Sequence, residues 1–489
     1  MSGCCKPIAT VAGWSCPRGS GDLFDRLYAR GDDERGTCFE HRKNRLGRVL
    51  AVRFGAVISA GAFCYASLAG GILEVPTKES DDTKVRLGSR FHRLFGATLV
   101  SAIGTGMHAA ALPLLALQST SDPMALSFVV MAAEIPWVLL SLHAGVVVDR
   151  LDRRRVMVWA DLGRFVALIA LAGLILTSQV NLVWLVLVAF LLGSGQVFFD
   201  IAAQSAIPDL VSRDPRNLAT ANGRIVAAES NGEDFVGPPL GSALFGVWNV
   251  LPFAGNALSF AASGLLIFSI RPDAKPKEKP EGPRKSVRNE IVEGIRWLFG
   301  NRSLRALAAV SCLGNVAATA QFAMLALLAK EVLELPDFGF GLLLTATAIG
   351  ATIGGLAAAA VSERFGPGTV MLAGKAGVGA AILVMGLVAN EWVAGAMMMV
   401  TGALMTAEKV AVSTFRQQIV PDELLGRVLS SSRLVVMAGG PVGAALGGVL
   451  SSLFAVQVSY VACGVFLVLV ALAFYPALNN RALARATDE

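Results

Sequence analysis

The chain has 489 residues, of which 54% are hydrophobic and 16% are charged, whereas about 25% of the residues in an average soluble domain are charged. Its mean hydropathy is +0.60, and apolar runs of about 20 residues recur along it, which excludes a soluble enzyme with one or two cores. Aromatic residues make up only 7% and no alternating ten-residue strand pattern occurs, which disfavours an outer-membrane barrel. The composition therefore predicts an all-α membrane protein.

Twelve apolar windows follow one another between residues 94 and 475 and predict twelve membrane-spanning helices. The first six windows cover residues 94–117, 125–148, 156–177, 182–202, 217–247 and 251–270. The second six cover residues 304–333, 339–361, 369–389, 393–414, 424–453 and 458–475. The polar segment 271–303 divides them, so we expect six-helix bundles at 90–270 and 304–478, followed by a short tail at 479–489.

The formal net charge is +6, and the basic residues gather in short loops on one side of the predicted spans. Arginines follow spans two, four, eight and ten and also fill the segment between the halves, whereas the opposite loops carry almost none apart from Lys330. Short loops rich in Lys and Arg remain in the cytoplasm. We therefore expect these loops, the start of span one and the tail to be cytoplasmic, and we infer no nucleic-acid partner from the basic charge.

The segment between the halves has two parts. Its first part, RPDAKPKEKPEGPRK, is rich in proline and charge and should lack a fixed fold. Its second part carries one apolar helical stripe, made of Val287, Ile291, Ile295, Leu298 and Phe299. This stripe predicts either a short amphipathic helix on the cytoplasmic membrane surface or an ordinary linker helix packed on the bundle, and the period does not distinguish them.

Two stretches of the chain are related to each other. QSAIPDL is followed by GRIV and GPPLGSAL, and QQIVPDEL is followed by GRVL and GPVGAALGG. In both copies an arginine precedes a proline by fourteen positions, Arg224 before Pro238 and Arg427 before Pro441. Spans five and eleven are therefore equivalent elements of two related halves, as in transporters whose substrate path lies between duplicated bundles.

Residues 145–155 read GVVVDRLDRRR and resemble the G-x-x-x-D-R-x-G-R-R signature of the major facilitator superfamily. Asp152 stands where that family usually has glycine, and the second copy, after span eight, is reduced to SERFG. The GPPLG of span five and the GPVG that begins at Gly440 resemble the Gly-Pro motif typical of the superfamily's exporters. The resemblance covers about residues 90–482 and is closest to the twelve-helix exporters of drugs and siderophores. It implies the major facilitator fold, two six-helix bundles joined by a cytoplasmic linker.

The signature after span two also implies a gating role. The residues that we expect to act in it are Gly145, Asp149, Arg150, Arg153 and Arg154. A carboxylate at this position can accept hydrogen bonds from a helix N-terminus, and the resemblance implies that this helix is the start of span eleven, near Gly426 and Arg427. Such contacts would form only while the cytoplasmic side is shut. Alternatively, the basic run is simply a positive-inside anchor.

Span five combines acidic residues with glycines at a helical spacing. The residues that recur every four positions on one face are Glu229, Glu233, Gly237 and Gly241, and Asp234 lies next to them. Glycines four apart let another helix approach closely, and the prolines after Gly237 kink the span. A carboxylate within the membrane is a functional hypothesis by default, so we expect one of these acids to carry a proton. Glu229 could instead form only an ion pair with Arg224.

Three further groups lie within the predicted spans. Glu134, in the middle of span two, could carry the coupled proton or meet a cationic substrate, and Arg164 of span three is its basic counterpart. The alternative is an interhelical pair between these two residues. We expect His108 and His143 to be interhelical hydrogen-bonding groups, and Glu408 to be structural.

Some kinds of site are missing from the sequence. It contains no GxxxxGK[ST] phosphate loop and no array of metal ligands, so we expect no ATP-driven mechanism, no cofactor and no metal centre. The expected partners are a small-molecule substrate, protons and the lipid bilayer, and the expected oligomeric state is a monomer in the cell membrane.

The first residues differ in composition from the rest of the chain. Five of the seven cysteines lie in the first 64 residues, at spacings that match no zinc site. We interpret residues 1–85 as an extension outside the transport machinery or as a start assigned too far upstream. The apolar run 50–73 is long enough to form a thirteenth span, which would place the first residues outside the cell.

The sequence leaves three functions open. The first is a secondary active exporter, a proton antiporter for an amphipathic small molecule of the drug or siderophore class. The second is an importer with the same fold, which the Gly-Pro motifs disfavour. The third is a receptor or assembly factor that kept the fold without transporting, and such a protein would not need Glu134 or Glu233.

Overall fold

The computed structural model describes residues 87–211, 215–270 and 287–488. Every regular element within these ranges is a helix. The predicted N-terminal extension, the possible thirteenth span and the proline-rich part of the linker lie outside the described residues.

The described part of the chain contains the twelve predicted spans. Spans one to six are Gly88–Ser119, Pro123–Arg150, Arg153–Leu176, Leu182–Leu210, 215–247 and Leu251–Phe268. Spans seven to twelve are Arg302–Val332, Asp337–Phe365, Pro367–Leu387, Glu391–Ile419, 422–453 and Val456–Leu478. Among the described residues, eleven of these have the length and hydropathy of a membrane span, and span five does not reach that length and hydropathy in one helix. The predicted all-α membrane fold is confirmed.

Side-chain caps determine where several spans begin. The residues whose side chains accept a hydrogen bond from the following helical backbone are Asp122, Asp152, Asn181, Asn301 and Asn390. Asp152 accepts from the Arg154 amide at 2.9 Å and has an ordinary φ of −66°. The turn at which the related signature usually has glycine is therefore closed here by a capping carboxylate. In the second copy Gly366 has a φ of +81°, a conformation that favours glycine.

Spans five and eleven are interrupted at equivalent places. Span five changes from α-helix to a π-helical segment, Asn231–Val236, and returns to α-helix at Gly237. Span eleven has a break at Ala438, between Asp422–Met437 and Gly439–Leu453. In both spans a proline follows the break within a few residues, and proline cannot donate a hydrogen bond to the carbonyl four residues earlier. The Gly-Pro motifs therefore explain why the same point is irregular in both halves.

The hydrophobic core is shared between the halves at one end of the molecule and divided at the other. We call the end that carries Arg153 and Arg427 the basic end, and the opposite end the far end. One buried cluster, at the far end, combines both halves and includes Leu126 and Ala444. At the basic end each half has a cluster of its own, around Phe91 in the first half and Phe415 in the second.

Close helix contacts join the two bundles at the far end. Gly448 of span eleven lies so near span two that an added Cβ would overlap the Ser127 hydroxyl. Gly341 of span eight lies equally near span five, since an added Cβ would overlap the Ser242 hydroxyl and lie 2.9 Å from the Pro238 carbonyl oxygen. Small residues permit such close approach, so the far end is shut.

The bundles diverge toward the basic end. Gly145 of span two and Gly223 of span five lie there, and among the described residues an added Cβ at either would meet no atom within 4 Å. Because the buried clusters of the two halves are separate at this end, we call the region between the bundles the cavity.

The linker helix, Val287–Gly300, packs on the start of span eleven. An added Cβ at Gly294 would lie 2.5 Å from the Arg427 carbonyl oxygen, and Leu298 is fully buried. Arg427 also donates a hydrogen bond to Glu293 at 3.0 Å. The helix therefore contacts the bundle, as in the second of the two alternatives that its apolar stripe left open.

Candidate functional site

A buried arginine lies at the centre of the first bundle. The side chain of Arg164 is only 1% exposed and donates to Asp161 Oδ1 and to Gln196 Oε1, each at 2.5 Å. Its guanidinium lies between two aromatic rings, 4.7 Å from the centre of Phe199 and 4.1 Å from that of Phe260. A buried charge needs such a partner and such contacts to be tolerated. The predicted basic residue is therefore held inside its own bundle.

Arg164 is not the partner of Glu134, so the interhelical pair considered from the sequence does not form in this structure. Glu134 instead lies at the contact between the bundles, where an added Cβ at Gly440 would be 2.9 Å from its Oε2 atom. Asp161, three residues before Arg164, takes the place of that partner. A spacing of three residues puts two side chains on the same helical face, and this signal was present in the sequence.

Three carboxylates from spans four and five form a group that faces the cavity between the bundles. We call Asp200, Glu229 and Glu233 the acidic group, because the charge of each acts on at least one of the others. Asp200 accepts a hydrogen bond from Gln196 Nε2 at 2.9 Å, which links the acidic group to Arg164. Two of these acids were predicted as candidates, and Asp200 was missed.

The glycine face of span five differs from the predicted one. Gly237 and Gly241 pack against Gly106 and Met107 of span one, as their spacing indicated. The next member of this face is Gly232 and not Glu233, since an added Cβ at Gly232 would lie 2.5 Å from Ala102 Cβ. The π-helical segment shifts the register of the side chains. The acids and the glycines therefore do not share one face.

Asp234 lies beside the acidic group, and its charge acts on Glu233. Its side chain is exposed, and the charge that acts on it is that of Lys409 in span ten. Asp234 therefore interacts across the cavity with the second bundle. Glu233, its neighbour, interacts with the acidic group and with Arg164 of the first bundle.

One arginine of the second bundle reaches the first. Arg433 of span eleven stacks over the ring of Trp137 in span two, with its Cζ atom 5.1 Å from the ring centre. Its charge also acts on Asp200 and Glu229. The cavity therefore has carboxylates on one wall and a guanidinium on the other, and no spacing along the chain indicated Arg433.

The second bundle contains a buried ion pair of its own. Lys375 Nζ of span nine lies 2.7 Å from Glu408 Oε1 of span ten, and both side chains are almost fully buried. Alignment of the two copies of the signature places Lys375 opposite Asp161, so the same position of the duplicated fold carries a buried charge in both halves, with opposite sign. This contact agrees with the expectation that Glu408 is structural.

The histidines occupy ordinary hydrogen-bonding positions. His108 Nδ1 lies 3.1 Å from the side-chain nitrogen of Asn256, which connects spans one and six. His143 Nδ1 donates to the Leu139 carbonyl of its own helix at 3.1 Å. His143 therefore bonds within its helix, whereas an interhelical bond was expected.

The basic signature ties together the ends of three spans of the first bundle. Arg153 donates to Asp209 and to the Ser205 carbonyl of span four, both at 2.6 Å. Arg154 stacks on Phe268 and donates to the last carbonyls of span six, which a cation at a helix C-terminus can stabilise. The predicted contact of Asp149 with span eleven falls on side chains outside the described residues.

Metal binding finds no support in the described ranges. They contain no group of three or more His, Cys, Asp or Glu side chains that could hold a metal ion.

Comparison with known proteins gives a consistent result. A model of the family described as transmembrane secretion effector matches residues 87–485. The multidrug efflux pump Tap of Mycolicibacterium fortuitum is 29% identical over 424 residues, which are 82% of this chain and 99% of that protein. The enterobactin exporter EntS of Citrobacter koseri is 26% identical over 387 residues, which are 78% of this chain and 90% of that protein.

Solved structures share the fold at lower identity. The nucleoside transporter NupG has a TM-score of 0.66 and 12% identity, with 80% of this chain and 100% of that chain covered. A bacterial homologue of the iron transporter ferroportin in an inward-facing state has a TM-score of 0.62 and 18% identity, with 79% and 98% covered. These relatives and fold neighbours are transporters and not enzymes.

Proposed function

This chain belongs to the transmembrane secretion effector family of the major facilitator superfamily, and from that premise we propose that it exports an amphipathic small molecule of the drug or siderophore class in exchange for protons. It is a multi-pass membrane transporter whose relatives are named as multidrug and enterobactin efflux pumps. Those two names support export of amphipathic compounds.

The orientation of the cavity supports the same direction. Arginine-rich short loops lie at the basic end, and such loops remain in the cytoplasm. In this proposal the basic end is cytoplasmic, and the shut far end corresponds to an inward-facing state. An exporter takes up its substrate from such a cavity, and the substrate can enter from the cytoplasm or from the inner leaflet of the cell membrane.

The observation that carries the proton coupling is the acidic group. Three carboxylates within the membrane lie together beside the cavity, on spans four and five. Ionisable residues in such positions are expensive to keep in a bilayer and mark proton or substrate pathways. Span five also touches span eight at the far end, so a change of charge at Glu233 acts on a span that must move when the far end opens.

Other candidates have more limited roles in this proposal. Glu134 lies at the contact between the bundles and is the reserve proton carrier. Asp234 interacts electrostatically with Lys409 of span ten, and its role is to attract the two bundles to each other. The basic signature gates the cytoplasmic side: the open space around Gly145 is available for a helix to approach when that side closes.

The test is the accumulation of a panel of drug-like and siderophore-like compounds in cells with and without the protein, each with and without a protonophore. We expect at least one amphipathic compound to accumulate less when the protein is present, and the protonophore to abolish the difference. Glu233→Gln should lose the effect, because it removes one of the interacting charges of the acidic group. Glu391→Gln, at an exposed carboxylate in the first turn of span ten, is the matched control and should keep it.

Each alternative has its own outcome. Export that continues in the presence of the protonophore would contradict the proton coupling. Greater accumulation with the protein present would identify an importer. No effect on any compound, together with normal membrane insertion, would favour the receptor or assembly factor.

A further inference from the structure

One hydrogen-bonded chain runs through the first bundle from a fully buried residue to the cavity. Asp161 accepts from Arg164 at 2.5 Å, Arg164 donates to Gln196 at 2.5 Å, and Gln196 donates onward to the next residue at 2.9 Å. That residue is Asp200, which belongs to the acidic group. Spans three and four are thus joined by a continuous polar path in a membrane protein, where every polar contact within the bilayer carries weight.

The chemistry of the arginine gives this chain a direction. A guanidinium has only donors, so the Gln196 side chain must turn its oxygen toward Arg164. Its NH₂ group must then face Asp200, and an NH₂ group can only donate. Asp200 therefore receives a hydrogen bond from this side, and that bond stabilises its carboxylate form.

Arg164 is fixed by groups other than Asp200. Phe199 and Phe260 lie on its two sides, and Asp161 holds one nitrogen. Gly195 makes room for its stem, because an added Cβ there would lie 2.6 Å from the Arg164 Cγ atom. The inner end of the chain is therefore rigid, and a change in the charge of Asp200 would not displace the arginine.

The outer end of the chain meets spans five and eleven. Asp200 interacts electrostatically with Glu229 and Glu233 of span five and with Arg433 of span eleven, in addition to Arg164 of span three. Spans five and eleven are the two interrupted spans. A proton on Asp200 would remove a negative charge that both of them experience.

We propose that Asp200 carries the exchanged proton, and that Arg164 and Gln196 are positioning residues which hold its carboxylate toward the cavity. This inference rests on the proton-coupled export proposed above. The proton enters from the far side when the far end opens, binds to an Asp200 oxygen, and leaves to the cytoplasm when the cavity faces the basic end. Substrate and proton then occupy the same cavity in turn.

The test follows the infrared carbonyl band of protonated carboxyl groups while the purified full-length protein is titrated with buffer alone, so that no substrate is needed. Asp200→Asn should remove one titrating component of this band, and Glu391→Gln should leave that component in place. Gln196→Met keeps the side-chain length but removes both hydrogen bonds, and should displace the titration midpoint by about one pH unit or more, the effect expected for a bond to a charged group. A purely structural role would alter stability without moving this midpoint.

Asp200→Glu keeps a carboxyl group and should retain the component, which separates loss of the proton site from a folding defect. An unchanged band in Asp200→Asn, or an unchanged midpoint in Gln196→Met, would overturn the inference. The accumulation assay with the protonophore separates this failure from failure of the proposed function. If wild-type export ignores the proton gradient, the proposed function is wrong; if export follows the gradient and Asp200→Asn still exports uphill, only the role of Asp200 is wrong.

Discussion

A single methyl group at Gly341 should open the far end of the molecule. Gly341 of span eight touches span five across the boundary between the bundles, and a Cβ there would lie 2.9 Å from the Pro238 carbonyl oxygen and 2.9 Å from Ser242 Cβ. Neither atom belongs to a side-chain tip that could rotate away, so the shut far end is strained in Gly341→Ala. Overpacking of this kind destabilises by about 1–3 kcal/mol.

The strain acts on the shut far end, and we expect it to be relieved when spans five and eight separate. A differential energy of about 1–3 kcal/mol changes the ratio of the two states by about 5- to 150-fold. We therefore expect Gly341→Ala to populate the open far end much more than the wild type does. Ser242→Gly removes one of the two clashing groups, so the double variant should recover part of the wild-type ratio.

The assay is the distribution of distances between spin labels at Ser121→Cys and Ala455→Cys, in protein whose native cysteines have been replaced. Both residues are exposed near the far end, one beside each bundle. Gly341→Ala should add a longer distance. Gly173→Ala, at an exposed glycine of span three, is the matched control, because no described atom lies within 4 Å of its added Cβ. The reasoning fails if Gly341→Ala leaves the distribution unchanged or if the two glycine variants behave alike.

Three further predictions concern gating, the second bundle and topology. Asp149→Asn should abolish transport without loss of membrane insertion, and normal transport by this variant would leave the signature as a topological anchor. Lys375→Met or Glu408→Met alone should destabilise the protein by about 3–5 kcal/mol, whereas the double variant should be nearly neutral. Thermal unfolding in detergent measures this, and equal losses of stability in the two single variants and the double variant would contradict a simple buried pair. Reporters fused after Arg155 and Arg485 should both be cytoplasmic, and a reporter outside would overturn the orientation.

The spans could be predicted because bilayer thickness sets a minimum apolar length, and that constraint is visible in a linear sequence. The duplication and the basic signature could be predicted for the same reason, since each depends only on the spacing of residues along the chain. The cap at Asp152 could also have been predicted, because a carboxylate before a helix is a common N-cap.

The site was harder to predict, because the surroundings of a charged residue within a span depend on several helices at once. Arg164 lies between rings from spans four and six, and Arg433 meets Trp137 only because the bundles touch at that height. The acids of span five were predicted as candidates, but the helical face on which their side chains lie was not predicted correctly. A helical spacing of four assumes a regular helix, and the π-helical segment breaks that assumption at Glu233.

Proton exchange by the purified protein tests the central claim most directly. The protein is reconstituted into liposomes that contain a pH-sensitive dye. A compound whose accumulation it reduces in cells is added on one side, at the same pH inside and outside. Downhill movement of the compound should drive protons the opposite way, with a dye signal that is lost in Asp200→Asn and kept in Glu391→Gln. Movement of the compound with no change in internal pH would contradict proton-coupled export.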